Sequence, residues 1–171
     1  VRVGDGFNPK TQLGPVQNKA QFEIVKGVLQ DTQATPAVRI LTGGRPIEGP
    51  GYFVPPTLVA DIAEGTRLVD EEPFGPVLPI IRYKEVADAV QRANRTSYGL
   101  GASVWGRNTR RATEVAGQLE AGMVWVNRHV GADPTVPFGG AKQSGIGREY
   151  GIHGLRAYME AMSLFMPPSV R

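Results

Sequence analysis

The residues whose types and spacing best suit chemistry lie in the stretch 71–77, which precedes an apolar run that is predicted to form a strand. Glu72 supplies a carboxylate that can accept hydrogen bonds from a pair of sugar hydroxyls, and Phe74 supplies a ring that can pack on a flat, partly apolar ligand. Gly75-Pro76 fixes a tight backbone path that lets a ligand come close. The alternative is a polar loop before a strand, with Phe74 as a core side chain.

A metal site is not predicted from the acidic and histidine residues. Glu71 and Glu72 are adjacent, and neighbouring side chains of an extended chain point in opposite directions. His129 and His153 are too few and too isolated to form a metal site. The chain contains no cysteine, which excludes disulfides, thiolate metal ligands and a cysteine nucleophile from these 171 residues.

The composition is that of one globular domain with many turns, because 22 glycines and 14 prolines are interleaved with apolar runs. The net charge is +3, and the small cluster Arg107, Arg110 and Arg111 is typical of a solvated helix face, so no nucleic-acid partner is predicted. No stretch approaches the ~20 apolar residues of a membrane span. We therefore expect a cytoplasmic protein, and the start at Val1 suggests a fragment of a longer chain.

Helical stripes and short apolar runs alternate along the sequence. Asn18 is predicted to cap the first helix, and the continuous apolar run Met123–Val126 predicts a strand that is buried on both faces. Pro55-Pro56 interrupts the extended residues 52–59, which predicts an edge or irregular strand. The other predicted elements are helices at 19–31, 86–95, 109–119 and 151–158, and strands at 38–42, 77–83, 102–105 and 160–166. Strands alternating with helices predict an α/β fold with a mostly parallel open sheet and flanking helices.

Residues 127–149 show little regular pattern, and long irregular connections inside compact domains are usually functional. This segment carries the motifs Asn127, Pro137-Phe138-Gly139-Gly140, Lys142-Gln143-Ser144-Gly145 and Gly147-Arg148-Glu149. With the Glu72 stretch, and in this order, these motifs resemble the C-terminal part of the catalytic domain of the NAD(P)-dependent aldehyde dehydrogenase superfamily. The resemblance runs from about residue 4 to about residue 166. It implies the family's catalytic-domain fold over 1–159, with an oligomerisation strand and tail over 160–171.

In the family that this sequence resembles, a cysteine thiolate attacks the aldehyde, the thiohemiacetal gives a hydride to the nicotinamide, and water hydrolyses the thioester. A glutamate upstream serves as general base. The resemblance implies that this sequence begins downstream of these groups, which agrees with the absence of cysteine. It therefore implies a fragment of an enzyme of the EC 1.2.1 class that uses NAD or NADP, and the fragment alone is expected to be inactive.

The resemblance assigns roles to three residues near the cofactor and the reacting groups. Glu72 matches the carboxylate that holds the ribose hydroxyls beside the nicotinamide, and Phe74 matches the ring that packs near that ribose. Glu149 resembles a carboxylate that relays protons or orders water. The alternative for Glu149 is a helix N-terminal residue that the helix dipole stabilises.

Four further residues match positions that shape the aldehyde tunnel of the family. Asn127 resembles the residue that opens the substrate-facing loop, or else it caps a strand. Val130 and Ala132 stand where many members have aromatic side chains, which implies a wider or more polar tunnel. Phe138 matches an aromatic residue that lines the tunnel, and its alternative is a core position.

The resemblance also implies partners and leaves other functions open. It implies a small-molecule aldehyde as substrate and a homo-oligomer, either dimer or tetramer, assembled through the strand 160–166, since an apolar terminal strand needs a partner edge. One rival function is a non-catalytic oligomerisation or interaction module. Another is a CoA-acylating relative, in which the thioester is released to a thiol instead of water.

Overall fold

The computed structural model describes residues 1–129 and 131–168, and the chain divides into two compact units, Val1–Tyr83 and Lys84–Arg171. This division is one that the sequence did not suggest. The predicted boundary between 159 and 160 stays a prediction. The α/β class is confirmed, since both units combine short strands with helices. None of the helices in residues 1–129 and 131–168 combines the length and the apolar composition that a membrane span needs.

The first unit is built on helix α1, Lys19–Ala34. Asn18 caps it as predicted, because its side chain accepts a hydrogen bond from the backbone N–H of Gln21 at 2.8 Å. The helix continues three residues beyond the predicted end and stops before Pro36, since the residue preceding a proline disfavours helical geometry. Val25, Val28 and Leu29 form its buried stripe, as their helical spacing predicts.

Three four-residue strands pack with this helix. They are β1 (Arg39–Thr42), β2 (Thr57–Ala60) and β3 (Val77–Ile80), in the sheet order β1-β2-β3. β1 pairs with β2 antiparallel, and β2 pairs with β3 parallel. β2 is therefore the central strand, so its prediction as an edge strand is wrong, whereas the register shift in its pairing with β1 agrees with the alternative of an irregular strand. The strand begins only at Thr57, so Pro55-Pro56 removes no N–H from the ladder.

A short helix, α2 (Arg67–Asp70), precedes β3 and was not predicted from the sequence. It places Leu68 in the one core cluster of this unit. The cluster joins α1, β2, β3 and the adjoining loops, and consists of Val25, Val28, Leu29, Val54, Val59, Ile62, Leu68 and Val77. Burial of this apolar surface is the main source of stability for the first unit.

The second unit contains a parallel crossover. Its elements are α3 (Val86–Asn94), β4 (Gly101–Val104), α4 (Thr109–Ala116), β5 (Met123–Val126), a 3-10 turn (Lys142–Ser144) and α5 (Gly151–Arg156). β4 and β5 pair in parallel, with α4 between them in sequence, as the alternating pattern predicted.

Asn108 caps α4 by accepting a hydrogen bond from the N–H of Arg111 at 3.0 Å. Asn94 is the last residue of α3 and links it to the residues that follow α4. Its Nδ2 donates to Gln118 O at 2.8 Å, and its Oδ1 accepts from Glu120 N at 2.9 Å.

The sheet of the second unit is less covered than its sequence predicted. All four residues of β5 are only partly buried, so the prediction of a strand buried on both faces is wrong for this chain. The physical reason is that the sheet has two strands and packs against α4, while no other helix of the described residues makes comparable contact with it.

The predicted strand at 160–166 forms no strand pairing within the described chain. Its large apolar side chains are exposed, including Met162 at 87%, Leu164 at 74% and Phe165 at 93%. The absence of an internal partner edge leaves the pairing with another subunit as a prediction.

Candidate functional site

The stretch 71–77, the Glu72 loop, connects α2 to β3 in the first unit. Phe74 adopts a left-handed backbone conformation with φ 45° and leaves 72% of its surface exposed. The interpretation of Phe74 as a core side chain is therefore wrong. Gly75 lies so close to α1 that a Cβ there would approach Cγ2 of Val25 to 2.5 Å. A side chain at this position would push the loop away from the helix.

Two polar contacts fasten the Glu72 loop to the helices beneath it. Nε2 of Gln21 on α1 donates a hydrogen bond to Pro73 O at 2.6 Å. Arg67 on α2 binds Oε2 of Glu71 at 3.0 Å through Nε and Oδ2 of Asp31 at 3.0 Å through Nη1. The pKa of Arg67 lies above its ordinary value, mainly because of the hydrogen bond to Asp31 and secondly because of the hydrogen bond to Glu71.

Sequence reasoning missed both of these anchors. The spacing of Arg67 and Glu71, four residues apart, is a recognisable sign of an ion pair on a short helix. Gln21 and Pro73 are 52 residues apart, and no sequence pattern links them. Their contact exists only because the core brings α1 and the loop together.

The two neighbouring glutamates of the loop have different environments. Glu71 is held in the ion pair with Arg67, whereas Glu72 is exposed and makes no hydrogen bond or ion pair with any described residue. A structural carboxylate is expected to be paired with a lysine or arginine, and a ligand-binding one is expected to be open. The geometry thus fits Glu71 as an anchor and leaves the carboxylate of Glu72 available.

A cavity of about 410 Å³ opens beside the Glu72 loop. Its walls are mostly apolar, with two side-chain amides, and are formed by Leu13, Gly14, Pro15, Val16, Gln17, Gln21, Val54, Phe74, Gly75 and Pro76. A cavity of this size with a ring on its wall and few polar groups suits a flat organic ligand. Glu72 is not among the lining residues, although it is two residues from Phe74.

Asn127 ends β5 in the second unit, with a left-handed φ of 54°. Its side chain binds Gly106 twice: Oδ1 accepts from Gly106 N at 2.8 Å, and Nδ2 donates to Gly106 O at 3.0 Å. Both polar atoms of the amide are thus engaged with the segment that follows β4. This is the contact expected of a strand-end cap, and the role of Asn127 in the substrate pocket stays a prediction.

Of the two small residues predicted to line the pocket, Val130 lies outside the described residues and Ala132 is exposed. The neighbouring turn is held by Asp133, whose Oδ1 accepts hydrogen bonds from Thr135 N at 2.9 Å and Thr135 Oγ1 at 2.7 Å. These hydrogen bonds, the backbone one first, lower the pKa of Asp133. The turn therefore has a fixed local conformation.

Phe138 and Glu149 are brought together in the second unit. Their backbones form an isolated antiparallel bridge, with both N–H···O distances at 2.8 Å, and the ring of Phe138 lies edge-on to Tyr150 at 6.0 Å between centroids. Phe138 is half-buried, and the carboxylate of Glu149 is exposed with no hydrogen bond or ion pair to the described residues. Helix α5 begins at Gly151 with Tyr150 as its N-cap, so Glu149 lies just before the helix N-terminus, and its stabilisation by the helix dipole stays a prediction.

The candidate residues thus form two sets: Glu72 and Phe74 in the first unit, and Asn127, Ala132, Phe138 and Glu149 in the second. Over residues 1–129 and 131–168, no group of three or more histidine, cysteine, aspartate or glutamate side chains could hold a metal ion. The carboxylates of Glu72 and Glu149 and the rings of Phe74 and Phe138 are groups suited to binding and orienting an organic ligand.

Comparison with known proteins links this geometry to one family. A family model described as "Aldehyde dehydrogenase family" matches residues 1–164. The putative aldehyde dehydrogenase DhaS of Bacillus subtilis is 41% identical over 166 residues, which is 97% of this chain and 33% of that protein. This chain therefore spans about a third of the length of that relative.

Solved structures that match this chain belong to the same family as its sequence relatives. A variant of an aldehyde dehydrogenase from Bacillus cereus matches with a TM-score of 0.88 and 38% identity, over 94% of this chain and 32% of that one. A betaine aldehyde dehydrogenase from Staphylococcus aureus, in complex with NAD+, matches with a TM-score of 0.86 and 34% identity, over 92% of this chain and 32% of that one. These matches confirm the catalytic-domain type of fold predicted from the motifs.

Proposed function

Because this chain belongs to the aldehyde dehydrogenase family, we propose that it is the C-terminal part of the catalytic domain of an enzyme that oxidises an aldehyde to a carboxylic acid with NAD or NADP. The nucleophilic cysteine, the general base and the dinucleotide-binding domain of that enzyme lie outside these 171 residues. The absence of cysteine from the chain supports this division. The chain by itself is expected to be inactive.

The contrast between the two loop glutamates carries the proposal on the cofactor side. Glu71 is used to fasten the loop, and Glu72 beside it is left exposed and unpaired among the described residues. An unpaired carboxylate next to an exposed ring, on a loop fixed to helix α1, suits the binding of a sugar joined to a flat ring. We assign Glu72 to the hydroxyls of the nicotinamide ribose and Phe74 to the face of that sugar.

The role of these two residues is orientation. When bound, the dinucleotide supplies the acceptor for the hydride that leaves the substrate carbon. Misplacement of reacting atoms by about 1 Å can cost on the order of a hundredfold in rate. The hydrogen bond from Gln21 to Pro73 O and the close contact of Gly75 with Val25 support this role, because they hold the loop from both sides of Phe74.

On the aldehyde side, we assign the pocket to Asn127, Val130, Ala132 and Phe138. Asn127 would contribute by fixing the end of β5, since its amide is engaged with Gly106. Phe138 would contribute its ring, and the small residues would leave a wide tunnel. Glu149 is assigned as a proton relay, which its exposed carboxylate supports.

The experiment that tests this function measures NADH and NADPH formation over a range of aldehydes. This chain is assayed beside the product of its full reading frame, with and without CoA. We expect activity only from the longer protein, and loss of that activity when a cysteine upstream of this chain is replaced. An inactive longer protein would refute the proposal, and formation of an acyl-CoA product would replace it with the CoA-acylating alternative.

A second candidate, an oligomerisation module, is favoured by the exposed apolar side chains of 160–166. Exposed apolar segments of this size mark interaction surfaces. Light scattering of the chain and of a version that ends at residue 159 tests it. A larger assembly that dissociates on truncation is expected. Monomers in both cases would contradict the predicted oligomerisation strand.

A further inference from the structure

Lys142 has a backbone conformation that lysine rarely adopts. Its φ is 54°, in the left-handed region, at the start of the 3-10 turn Lys142–Ser144. Residues with a Cβ are held in this region only where the surrounding structure determines it, and such positions are frequent at functional sites. The side chain of Lys142 makes several contacts in this conformation.

The ammonium group of Lys142 is surrounded by three oxygen atoms. Nζ donates to Asn94 O at 2.5 Å and to Thr96 O at 3.2 Å, and it pairs with Oε2 of Glu120 at 3.0 Å. The side chain is only 23% exposed. An ammonium has three donors and no acceptor, so this set of oxygens matches its hydrogen-bonding capacity. The contacts join the end of α3 to the connector that leads into β5.

Backbone contacts at the same place tie the turn to the start of β4. Ala141 N donates to Gly99 O at 2.8 Å, and Gly99 N donates to Ser144 Oγ at 2.8 Å. A Cβ at Gly99 would lie 3.0 Å from the carbonyl oxygens of both Ala141 and Glu120, so no side chain fits there without displacement. We call these contacts between 94–101, 118–123 and 141–144 the Lys142 junction.

The segment with Phe138 and Glu149 is closed onto this junction. Nη1 of Arg148 donates to Gly140 O and to Gly147 O, both at 2.7 Å, and the Phe138–Glu149 bridge completes the loop. Gly140 is only two residues from Lys142. The position of the Phe138 ring is therefore set by a short, closed segment whose fixed end is the Lys142 junction.

We propose that Lys142 is a positioning residue for the aldehyde-binding wall: its ammonium fixes the 138–149 segment, and hence the Phe138 ring, against the start of β4 and β5. The inference rests on the proposed function, because it takes Phe138 as part of that wall. Lys142 acts through the backbone and does not touch the substrate. Its removal should therefore change how the aldehyde binds, while the binding of the dinucleotide through Glu72 stays the same.

The test uses the product of the full reading frame with three variants at one position. Lys142→Met keeps the aliphatic stem and removes the donors, Lys142→Gly also relieves the left-handed backbone, and Lys142→Arg keeps a cation with several donors. Lys26→Met is the matched control, because Lys26 makes an exposed ion pair with Glu23 on α1.

We expect Lys142→Met and Lys142→Gly to raise the aldehyde KM about tenfold, as misplacement of a binding wall would, with the dinucleotide KM unchanged. Lys142→Arg should recover part of the loss, and Lys26→Met should behave as the wild type. A wild-type aldehyde KM in Lys142→Gly would overturn the proposal, because the backbone alone would then suffice. An equal rise in both KM values would also overturn it, since a general structural role predicts that outcome.

Amide hydrogen exchange over 138–149 in the same proteins gives a readout that does not depend on activity. Faster exchange in Lys142→Met, restored in Lys142→Arg, is expected, and unchanged exchange would overturn the proposal. Should Lys142→Met fail to fold, Lys142→Gly decides by the same measurements. If the wild-type longer protein oxidises no aldehyde, the proposed function fails, and exchange alone then tests whether Lys142 fixes the segment.

Discussion

The two units of this chain are stabilised in different ways. In the first unit, eight residues from α1, β2, β3 and the adjoining loops form one buried apolar cluster. In the second unit, the buried apolar side chains among the described residues are Ala112 and Ala116. That unit relies instead on polar contacts to backbone atoms, made by Asn94, Asn127 and Lys142.

The difference shows how each candidate site is positioned. Apolar burial is not directional, so the core of the first unit holds α1 and β3 in place while a few contacts, such as Gln21 to Pro73, orient the Glu72 loop. Hydrogen bonds are directional, and a buried donor or acceptor left without its partner is costly. The second unit should therefore hold its loops in defined conformations and yet resist opening less than the first.

The largest effect that can test this comparison is in amide hydrogen exchange of the 171-residue chain. The parallel pairs β2–β3 and β4–β5 have the same number of residues and are matched to each other. We expect exchange in β2–β3 to be slower by about a hundredfold or more, because cores open only with global unfolding while weakly covered sheets open locally. Equal protection in the two pairs would show that the polar contacts stabilise as much as the core does.

A core substitution in each unit gives the next largest effect. Val59 of β2 is 0% exposed, whereas Val126 of β5 is partly exposed. Val59→Ala should lower the free energy of unfolding by about 2 kcal/mol, since it removes buried methyl groups and leaves a cavity. Val126→Ala should cost less than half as much. Urea unfolding of both variants measures the difference, and a larger loss at Val126 would contradict the comparison.

The adjacent glutamates of the first unit allow an exposed, unpaired side chain, Glu72, to be compared with an ion-paired one, Glu71. In the product of the full reading frame, Glu72→Gln should slow hydride transfer about tenfold by loosening the nicotinamide ribose, with a smaller effect on aldehyde binding. Glu71→Gln removes an exposed ion pair, which contributes little to stability, and should leave the rate almost unchanged. Single-turnover formation of the reduced cofactor measures the rate of hydride transfer in the two variants. Unchanged turnover in Glu72→Gln would refute its assigned role.

The smallest effect is expected at Asp133, where the turn of the second unit depends on a charge. Its pKa is lowered in the folded chain by the hydrogen bonds from Thr135. The stabilisation is therefore present above the unfolded pKa and is lost as the pH falls through the lowered folded value. The free energy of unfolding of the wild type should fall slightly at acid pH, because this contribution is lost there. Asp133→Asn has no such contribution at any pH, so its free energy of unfolding should lack this decrease. Parallel pH profiles for the two proteins would contradict this.

Local chemistry explains what could be predicted from the sequence. Asn18 caps the helix that follows it, and the apolar run Met123–Val126 forms a strand, because these signals act over a few residues. The motifs around Glu72 and Phe138 were sufficient for the family, as the match over residues 1–164 confirms.

What could not be predicted depends on distant contacts. The pairing of Gln21 with Pro73 and that of Lys142 with Asn94 join residues about fifty positions apart, and each exists only in the folded chain. The central position of β2 was missed because its prolines precede the strand and do not interrupt it. The weak cover of β5 was missed because an apolar run shows what a strand can bury and not what is present to bury it.

The contacts of Asn94 have a consequence for covalent modification. Asn94-Arg95-Thr96 has the spacing of an N-glycan acceptor, whose amide nitrogen must reach the transferring enzyme. Here that nitrogen is hydrogen-bonded to Gln118 O, and the amide oxygen accepts from Glu120 N. The transferring enzyme could reach this nitrogen only after its hydrogen bond to Gln118 O had opened. Once this region has folded, these hydrogen bonds hold the side chain of Asn94, and the sequon is no longer accessible for glycosylation.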